Sequence, residues 1–177
     1  PTLTFIASIN PITYIKANPV FMDSDDYFNI DSKKTIEFLK NHTFMKSGYT
    51  YNKNTKKRIS AIVPVHVWGN AVYLDKLFIE CKKRNIKIVE DASESLGTWY
   101  TKGKFNRRHT GTIGDIGCLS FNSNKIITCG GGGAIITGSK KSFNTRIASL
   151  TALIPETPKN LTKLSSNPYA MYGVFHR

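Results

Sequence analysis

The chain has 177 residues, of which 40% are hydrophobic and 21% are charged, and its formal net charge at pH 7 is +13. This length and composition are typical of a globular protein with one hydrophobic core. The longest apolar runs, such as 61–69, are far shorter than the ~20 residues that a membrane helix needs, and no basic-then-apolar leader opens the sequence. We therefore expect no membrane span and no targeting signal.

The three cysteines, Cys81, Cys118 and Cys129, are odd in number and lack the Cys-x-x-Cys spacing of many metal sites. This pattern predicts small, reduced core thiols in a cytoplasmic protein, with no disulfide framework. We expect no metal site.

The basic residues fall in short runs at 53–58, 82–84 and 140–141, without interleaved aromatic side chains. Proteins that bind nucleic acids group lysine and arginine on one face to neutralise phosphates. The scattered runs favour solvated surface lysines over a nucleic-acid partner. A phosphate-bearing small substrate is the remaining alternative.

The first third of the chain predicts a strand, a helix and a loop. The apolar run 18–23 predicts a short strand. The segment 31–42 predicts a helix, because Asp31 is suited to cap it and Ile36 and Leu39 share one face. The polar, aperiodic segment 43–57 predicts a surface loop.

The middle of the chain repeats the strand and helix pattern. Segment 58–67 is β-branched and continuously apolar, 71–85 carries apolar residues at helical spacing, and 86–91 is again strand-like. Such units favour a parallel sheet covered by helices, in which ligands bind beyond the carboxyl ends of the strands. Asp91 lies at such an end.

Lys125 is the only charged residue between positions 116 and 138. A lysine among apolar and small neutral groups has its ammonium form disfavoured by desolvation, which makes the amine a better nucleophile. The alternative is a lysine that reaches solvent from a strand end. The glycines at 130–133 lack the Lys-Ser/Thr of a phosphate-binding loop and predict a flexible turn into the strand 134–137.

Four motifs occur together: "PVHVWG" at 64–69, "VEDASESLGTWY" at 89–100, "GTIGDIGCLSFNSNK" at 111–125 and "GGGGAIIT" at 130–137. In this order and spacing they resemble the sugar aminotransferases of the DegT/DnrJ/EryC1/StrS family. The resemblance implies an α/β fold, the truncated large domain of a fold-type-I pyridoxal-phosphate (PLP) enzyme, with a mostly parallel sheet and helices on both faces. It divides the chain into a partial PLP-binding domain at 1–150 and a tail at 151–177 in which no final element is expected.

The resemblance also implies roles for four residues. Lys125 matches the lysine that binds the cofactor covalently and later moves protons, and Asp91 matches the carboxylate that pairs with the pyridine nitrogen. Such a carboxylate keeps the ring nitrogen protonated, so that the ring drains electrons from the carbanion. Glu94 matches a residue beside the cofactor's 3-hydroxyl, and Ser120 matches the serine that binds the cofactor phosphate. From the residues alone, a loop cap for Asp91, an exposed helix start for Glu94 and a simple strand hydroxyl for Ser120 remain open.

Two further residues, His66 and Trp68, fall in a family motif. We interpret them as a core histidine and a packing aromatic. Relatives also carry a segment before "PTLTF" that helps to bind the phosphate, and a C-terminal domain that shapes the substrate pocket. We therefore expect a fragment or truncated product that is inactive and prone to self-association when alone.

The resemblance implies an aminotransferase that moves an amino group from an amino acid such as glutamate to a nucleotide-linked 4-keto-6-deoxy sugar, as a cytoplasmic homodimer in polysaccharide biosynthesis. "SFNSNKIITCGGGG" is most similar to the branch that serves nonulosonic-acid sugars such as legionaminic acid. One alternative is a PLP-dependent sugar dehydratase of the same family, which Lys125 disfavours because those relatives have histidine there. The other is a catalytically silent remnant or interaction module.

Overall fold

The computed structural model describes residues 1–138, 162–163 and 170–174. Its helices are α1 (Asn10–Tyr14), α2 (Ser32–Asn41) and α3 (Asp75–Lys83), with short 3-10 turns at Ile6–Ser8 and Val67–Gly69. A three-stranded sheet contains β1 (Thr43–Lys46), β2 (Tyr49–Asn52) and β3 (Arg58–Ile59). A six-stranded sheet contains β4 (Ala61–Ile62), β5 (Lys87–Asp91), β6 (Ile116–Ser120), β7 (Gly133–Thr137), β8 (Thr162–Lys163) and β9 (Ala170–Val174).

The larger sheet has the strand order β4-β5-β6-β7-β9-β8. Strands β4, β5 and β6 run parallel, and the strands beyond β6 pair antiparallel. The expected α/β fold is confirmed, and the sheet is mixed. Since β5 and β6 are parallel neighbours, their carboxyl ends meet at one edge of the sheet, where ligands bind in such folds.

The two longer helices cover the face of the sheet that carries Ile88. Helix α2 begins as predicted, because the Asp31 carboxylate accepts hydrogen bonds from the backbone N–H groups of Lys33 and Lys34 at 2.9 and 3.0 Å. The apolar stripes of α2 and α3 meet in one buried cluster with the sheet, whose members are Ile30, Leu39, Val72, Leu74, Leu77, Cys81, Ile86, Ile88, Phe105 and Ile113. Both helices form within the segments that their periodicity predicts.

The predicted strand at 18–23 is absent from the structure. Val20 and Phe21 are 49% and 55% exposed, and this run pairs with no strand of the described chain. It is held instead by single backbone bonds, such as that from Thr2 N–H to Met22 C=O at 2.8 Å. An apolar run becomes a strand only where a neighbour supplies matching N–H and C=O groups.

The predicted loop at 43–57 is instead a hairpin of β1 and β2, with β3 as its third strand. Ser47 and Gly48 both have positive φ, 50° and 78°, which is the geometry of a two-residue hairpin turn. The ring of Phe44 stacks on that of Tyr51 across the pair, with 5.6 Å between centroids. Because the segment is rich in polar residues, its sequence showed no clear sign of these strands.

The predicted strand at 58–67 divides between the two sheets. Its first residues form β3, which pairs with β2, and the next form β4, which pairs with β5. Pro64 has no N–H for a ladder bond, so the regular strand ends before it, although Val65 still bridges to Asp91. The strand β9, which pairs with β7, corrects the expectation of a tail without a final element.

None of the helices in residues 1–138 is long and apolar enough to cross a bilayer. The same part of the chain contains no group of three or more His, Cys, Asp or Glu side chains placed to hold a metal ion.

Gly117 gives a direct test of the sheet packing. A Cβ atom at this position would lie 1.9 Å from the carbonyl oxygen of Gly111, whereas a Cβ atom at Gly131 would meet nothing within 4 Å. We expect Gly117→Ala to lower the free energy of unfolding by at least about 1–3 kcal/mol, because the backbone at Gly111 or Gly117 must move to make room for the methyl group. Urea unfolding measures the loss. Gly131→Ala is the control, and equal effects of the two variants would contradict the packing described.

Candidate cofactor site

Asp91 occupies the carboxyl end of β5, as predicted. Its Oδ2 accepts a hydrogen bond from the Ser8 hydroxyl at 2.5 Å, and its Oδ1 accepts from the backbone N–H of Ser93 at 3.1 Å and from the Ser93 hydroxyl. Its backbone N–H donates to Pro64 C=O at 2.8 Å, and its C=O accepts from His66 N–H at 3.0 Å. The carboxylate is therefore fixed on both sides. Sequence reasoning missed Ser8, which lies 83 positions away.

The strand register places Asp91 and Ser120 on one face of the sheet. Asp91 stands opposite Cys118 in the neighbouring parallel strand, and Ser120 follows two positions later. Because side chains alternate along a strand, these three share the half-buried face, while Glu90 and Leu119 point into the covered side. Burial raises the pKa of the Cys118 thiol to about 11, with the charges of Asp91 and Glu90 adding to the effect.

Lys125 is not isolated from carboxylates, which corrects the expectation drawn from its sequence neighbours. Its Nζ lies 3.4 Å from Oε1 of Glu94, and the two side chains are 17% and 35% exposed. The other oxygen of Glu94 accepts a hydrogen bond from the backbone N–H of Trp68 at 2.9 Å. Glu94 lies in a turn, not at a helix start. A separation of 31 positions hides this pairing from any local reading of the sequence.

Ser120 ends β6, and the turn after it carries Lys125. The Ser120 hydroxyl accepts from the backbone N–H of Asn122 at 3.3 Å. Backbone bonds from Phe121 N–H to Gly132 C=O and from Cys129 N–H to Phe121 C=O close the turn between β6 and β7. The glycine run is a turn into β7, as predicted, and Gly130 and Gly132 have φ values of 83° and 118° there.

His66 is fully buried, so its interpretation as a core histidine is confirmed. Its Nδ1 accepts from the backbone N–H of Val72 at 3.0 Å, which leaves Nε2 to donate to Oε2 of Glu90 at 3.0 Å. The interpretation of Trp68 as a packing aromatic is wrong, because this side chain is 67% exposed.

Glu90 is a fully buried carboxylate that sequence reasoning missed. Besides His66, it accepts from the backbone N–H groups of Gly111, Ile113 and Gly114 at 2.9, 2.6 and 2.6 Å. Burial alone would raise the pKa of Glu90, but the hydrogen bonds from His66 and from the backbone N–H groups outweigh it, so the pKa lies below its usual value. The sequence contained one signal for this buried acid: Glu90 lies at a strand position that alternates with Asp91 and therefore faces inward.

An apolar cavity of about 540 Å³ lies between the N-terminal segment, α2 and the strands at 58–63. Ser8 lines it, whereas Asp91, Glu94, Ser120 and Lys125 do not. Its apolar lining does not match the polar chemistry at the ends of β5 and β6. The candidate site is therefore the sheet edge around Asp91, Glu94, Ser120 and Lys125.

Comparison with known proteins identifies the class to which this fold and site belong. The model of the DegT/DnrJ/EryC1/StrS aminotransferase family matches residues 1–152. The chain belongs to this family, as its motifs predicted. Aminotransferases of this family are PLP-dependent.

Two curated relatives are GDP-perosamine synthases. That of Escherichia coli O157:H7 is 35% identical over 144 residues, which cover 81% of this chain and 34% of the relative. That of Caulobacter vibrioides is 36% identical over 138 residues, which cover 77% of this chain and 32% of the relative. The chain thus spans about a third of the length of the curated relatives it matches.

Solved structures agree with the fold. The aminotransferase from Psychrobacter cryohalolentis matches with a TM-score of 0.58 and 32% identity, over 76% of this chain and 29% of that one. DesI, solved in the presence of its TDP-sugar product, matches with a TM-score of 0.66 and 25% identity, over 98% of this chain and 38% of that one.

The thiol of Cys118 is a natural reporter of the Asp91 charge, because the two residues stand opposite each other in β5 and β6. We expect Asp91→Asn to lower the pKa of Cys118 and so to speed its alkylation by iodoacetamide at pH 8, since thiolate is the reacting form. Peptide mass spectrometry in a Cys129→Ala background measures the rate. Asp26→Asn, at an exposed acid, is the control. An unchanged rate in Asp91→Asn would show that the carboxylate does not face this thiol.

Proposed function

We propose that this chain is the cofactor-binding part of a PLP-dependent aminotransferase that acts on a nucleotide-linked 4-keto-6-deoxy sugar. One observation carries the proposal. A carboxylate and a hydroxyl, Asp91 and Ser120, share one face at the carboxyl ends of adjacent parallel strands, and the next turn holds the partly buried amine of Lys125. Family membership supports the same reaction class.

The side chains at this edge fit the chemical groups of PLP. A pyridine nitrogen needs a carboxylate, a phosphate needs hydroxyl or N–H donors, and an aldehyde needs an amine. When bound, the cofactor supplies an electron sink for breaking a bond at the amino-bearing carbon. Asp91 would hold the proton on the ring nitrogen, and Ser120 would donate from Oγ to a phosphate oxygen.

Asp91 is prepared for this role by its neighbours. The Ser8 hydroxyl donates to Oδ2, and the hydroxyl and backbone N–H of Ser93 both donate to Oδ1, which leaves an acceptor position open on Oδ2. An ionised carboxyl has about four acceptor positions, so a pyridinium N–H can be added without displacing either serine. The half-buried setting strengthens that pairing over its value in open water.

Lys125 would bind the cofactor through Nζ and later move a proton from the amino-bearing carbon. Glu94 restrains this side chain through the 3.4 Å ion pair and is itself fixed by the backbone of Trp68. Such restraint contributes to rate by keeping the amine within reach of the reacting carbon. The lysine also favours amino transfer over the sugar dehydratase alternative.

The substrate class follows from the relatives' names. Three of them are GDP-perosamine synthases, and DesI was solved in the presence of its TDP-sugar product. These names support a sugar joined to a nucleotide. An amino acid such as glutamate as the donor is a further part of the proposal. A homodimer in the cytoplasm and a place in nonulosonic-acid biosynthesis are further parts of the proposal. The remaining alternative, a silent remnant or interaction module, predicts no cofactor attachment.

The attachment site tests the proposal directly. We expect borohydride reduction, in the presence of PLP, of this chain completed by the segments that its relatives carry, followed by peptide mapping, to place the pyridoxyl group on Lys125. The Lys125→Arg variant should lose the label, because a guanidinium cannot form the bond. Lys102→Arg, at an exposed lysine, should retain it. Label spread over several surface lysines, or no label, would contradict the assignment.

A further inference from the structure

Two exposed aromatic side chains, Phe28 and Trp68, form an edge-to-face pair beside the candidate site. Their ring centroids lie 4.9 Å apart at an interplanar angle of 64°. The side chains are 45% and 67% exposed, so neither ring is buried in the core. The pair therefore presents apolar surface to solvent.

Both residues are held in the left-handed backbone region, with φ of 66° at Phe28 and 52° at Trp68. For bulky residues other than glycine this conformation costs about 1–2 kcal/mol each. Burial of the rings does not offset the cost, since both stay exposed. Strain that packing does not explain is typical of functional positions.

One buried side chain, Asn29, joins the two strained turns. Its Oδ1 accepts from the backbone N–H of Val67 at 3.0 Å, and its Nδ2 donates to the backbone C=O of Asn70 at 3.2 Å. Asn29 is only 2% exposed. The two bonds hold the backbone before and after Trp68, and Phe28 is the residue next to Asn29. Asn29 therefore fixes the positions of the two aromatic residues relative to each other.

The pair lies close to the reactive amine. The same Glu94 carboxylate accepts from the backbone N–H of Trp68 and lies 3.4 Å from Nζ of Lys125. A single carboxylate thus spans the gap between the backbone of Trp68 and the amine. The Trp68 side chain therefore starts from a backbone position that one carboxylate links to the amine.

We propose that Trp68, supported by Phe28, is the surface on which the hexose ring of the substrate packs. This inference rests on the proposed function. The carbonyl carbon that receives the amino group belongs to the hexose, so the hexose is the part of the substrate nearest to the amine. The nucleobase is separated from that carbon by a ribose and a diphosphate. The C–H face and methyl group of a 6-deoxy sugar offer apolar atoms that match an aromatic face.

The chain contains two tryptophans, Trp68 and Trp99, so a Trp99→Phe variant makes Trp68 the sole indole reporter. The probes are GDP-, TDP- and UDP-linked amino sugars, each compared with its own nucleoside diphosphate. We expect the sugar nucleotide that binds to change Trp68 fluorescence, and its nucleoside diphosphate to leave it unchanged at saturation. A nucleobase on Trp68 would give equal signals for both and would overturn the inference.

Calorimetry with Trp68 variants gives the affinity. We expect Trp68→Ala to weaken sugar-nucleotide binding about tenfold and to leave nucleoside diphosphate affinity unchanged, whereas Trp68→Phe retains most of it. Trp99→Ala is the matched control at the other exposed indole. An unchanged near-ultraviolet circular dichroism spectrum shows that each variant is folded.

The outcomes separate this inference from the proposed function. Binding of a sugar nucleotide without any Trp68 signal, or with unchanged affinity in Trp68→Ala, overturns the inference alone. Failure of every probe to bind overturns both. A third outcome is that Trp68→Ala leaves the sugar affinity unchanged but alters the oligomeric state, measured by sedimentation. That result would reject the inference and assign the aromatic pair to contact with a second copy of the chain.

Discussion

The buried carboxylate of Glu90 holds together the segments from which the candidate site is built. Its two oxygens accept from His66 and from three backbone N–H groups at 111–114. Through His66 it reaches the turn that contains Trp68, and through 111–114 it fixes the entry to β6. An unpaired buried carboxylate is costly, and removing a partner from such a group costs about 3–5 kcal/mol. Because each segment donates a hydrogen bond to the same carboxylate, Glu90 joins these segments to one another.

The site follows from this arrangement by strand alternation. Glu90 points inward to its four donors, so Asp91 must point to the opposite, half-open face. The parallel register then brings Cys118 opposite Asp91 and places Ser120 on that same face. Two adjacent acids thus have different surroundings: Glu90 points inward and organises the backbone, and Asp91 points outward to the edge where we propose that the cofactor binds.

The sequence predicted the parts of the fold that depend on local periodicity. Helices α2 and α3 and strands β5 and β7 carry their own caps or apolar patterns, and Asp91 follows from a predicted strand end. Ser120 was singled out by the family resemblance. The hairpin at 43–52 was missed because its stability comes from a turn with positive φ and cross-strand rings. The Lys125–Glu94 pair was missed because it joins residues distant in the chain. Pairings between distant segments are properties of the fold, and local patterns do not encode them.

Amide hydrogen exchange in the Glu90→Gln variant measures whether this carboxylate holds the backbone at 111–114 in place. A glutamine amide at this position can accept through one atom only, and its NH₂ group would face N–H donors. We expect exchange at Gly111, Ile113 and Gly114 to accelerate together, by roughly tenfold or more, because a charged hydrogen bond worth about 1.5–3 kcal/mol is lost. Glu80→Gln, at the partly buried ion pair with Arg84 in and beside α3, should leave these amides unchanged. Unchanged exchange in Glu90→Gln would show that the carboxylate does not hold the site together.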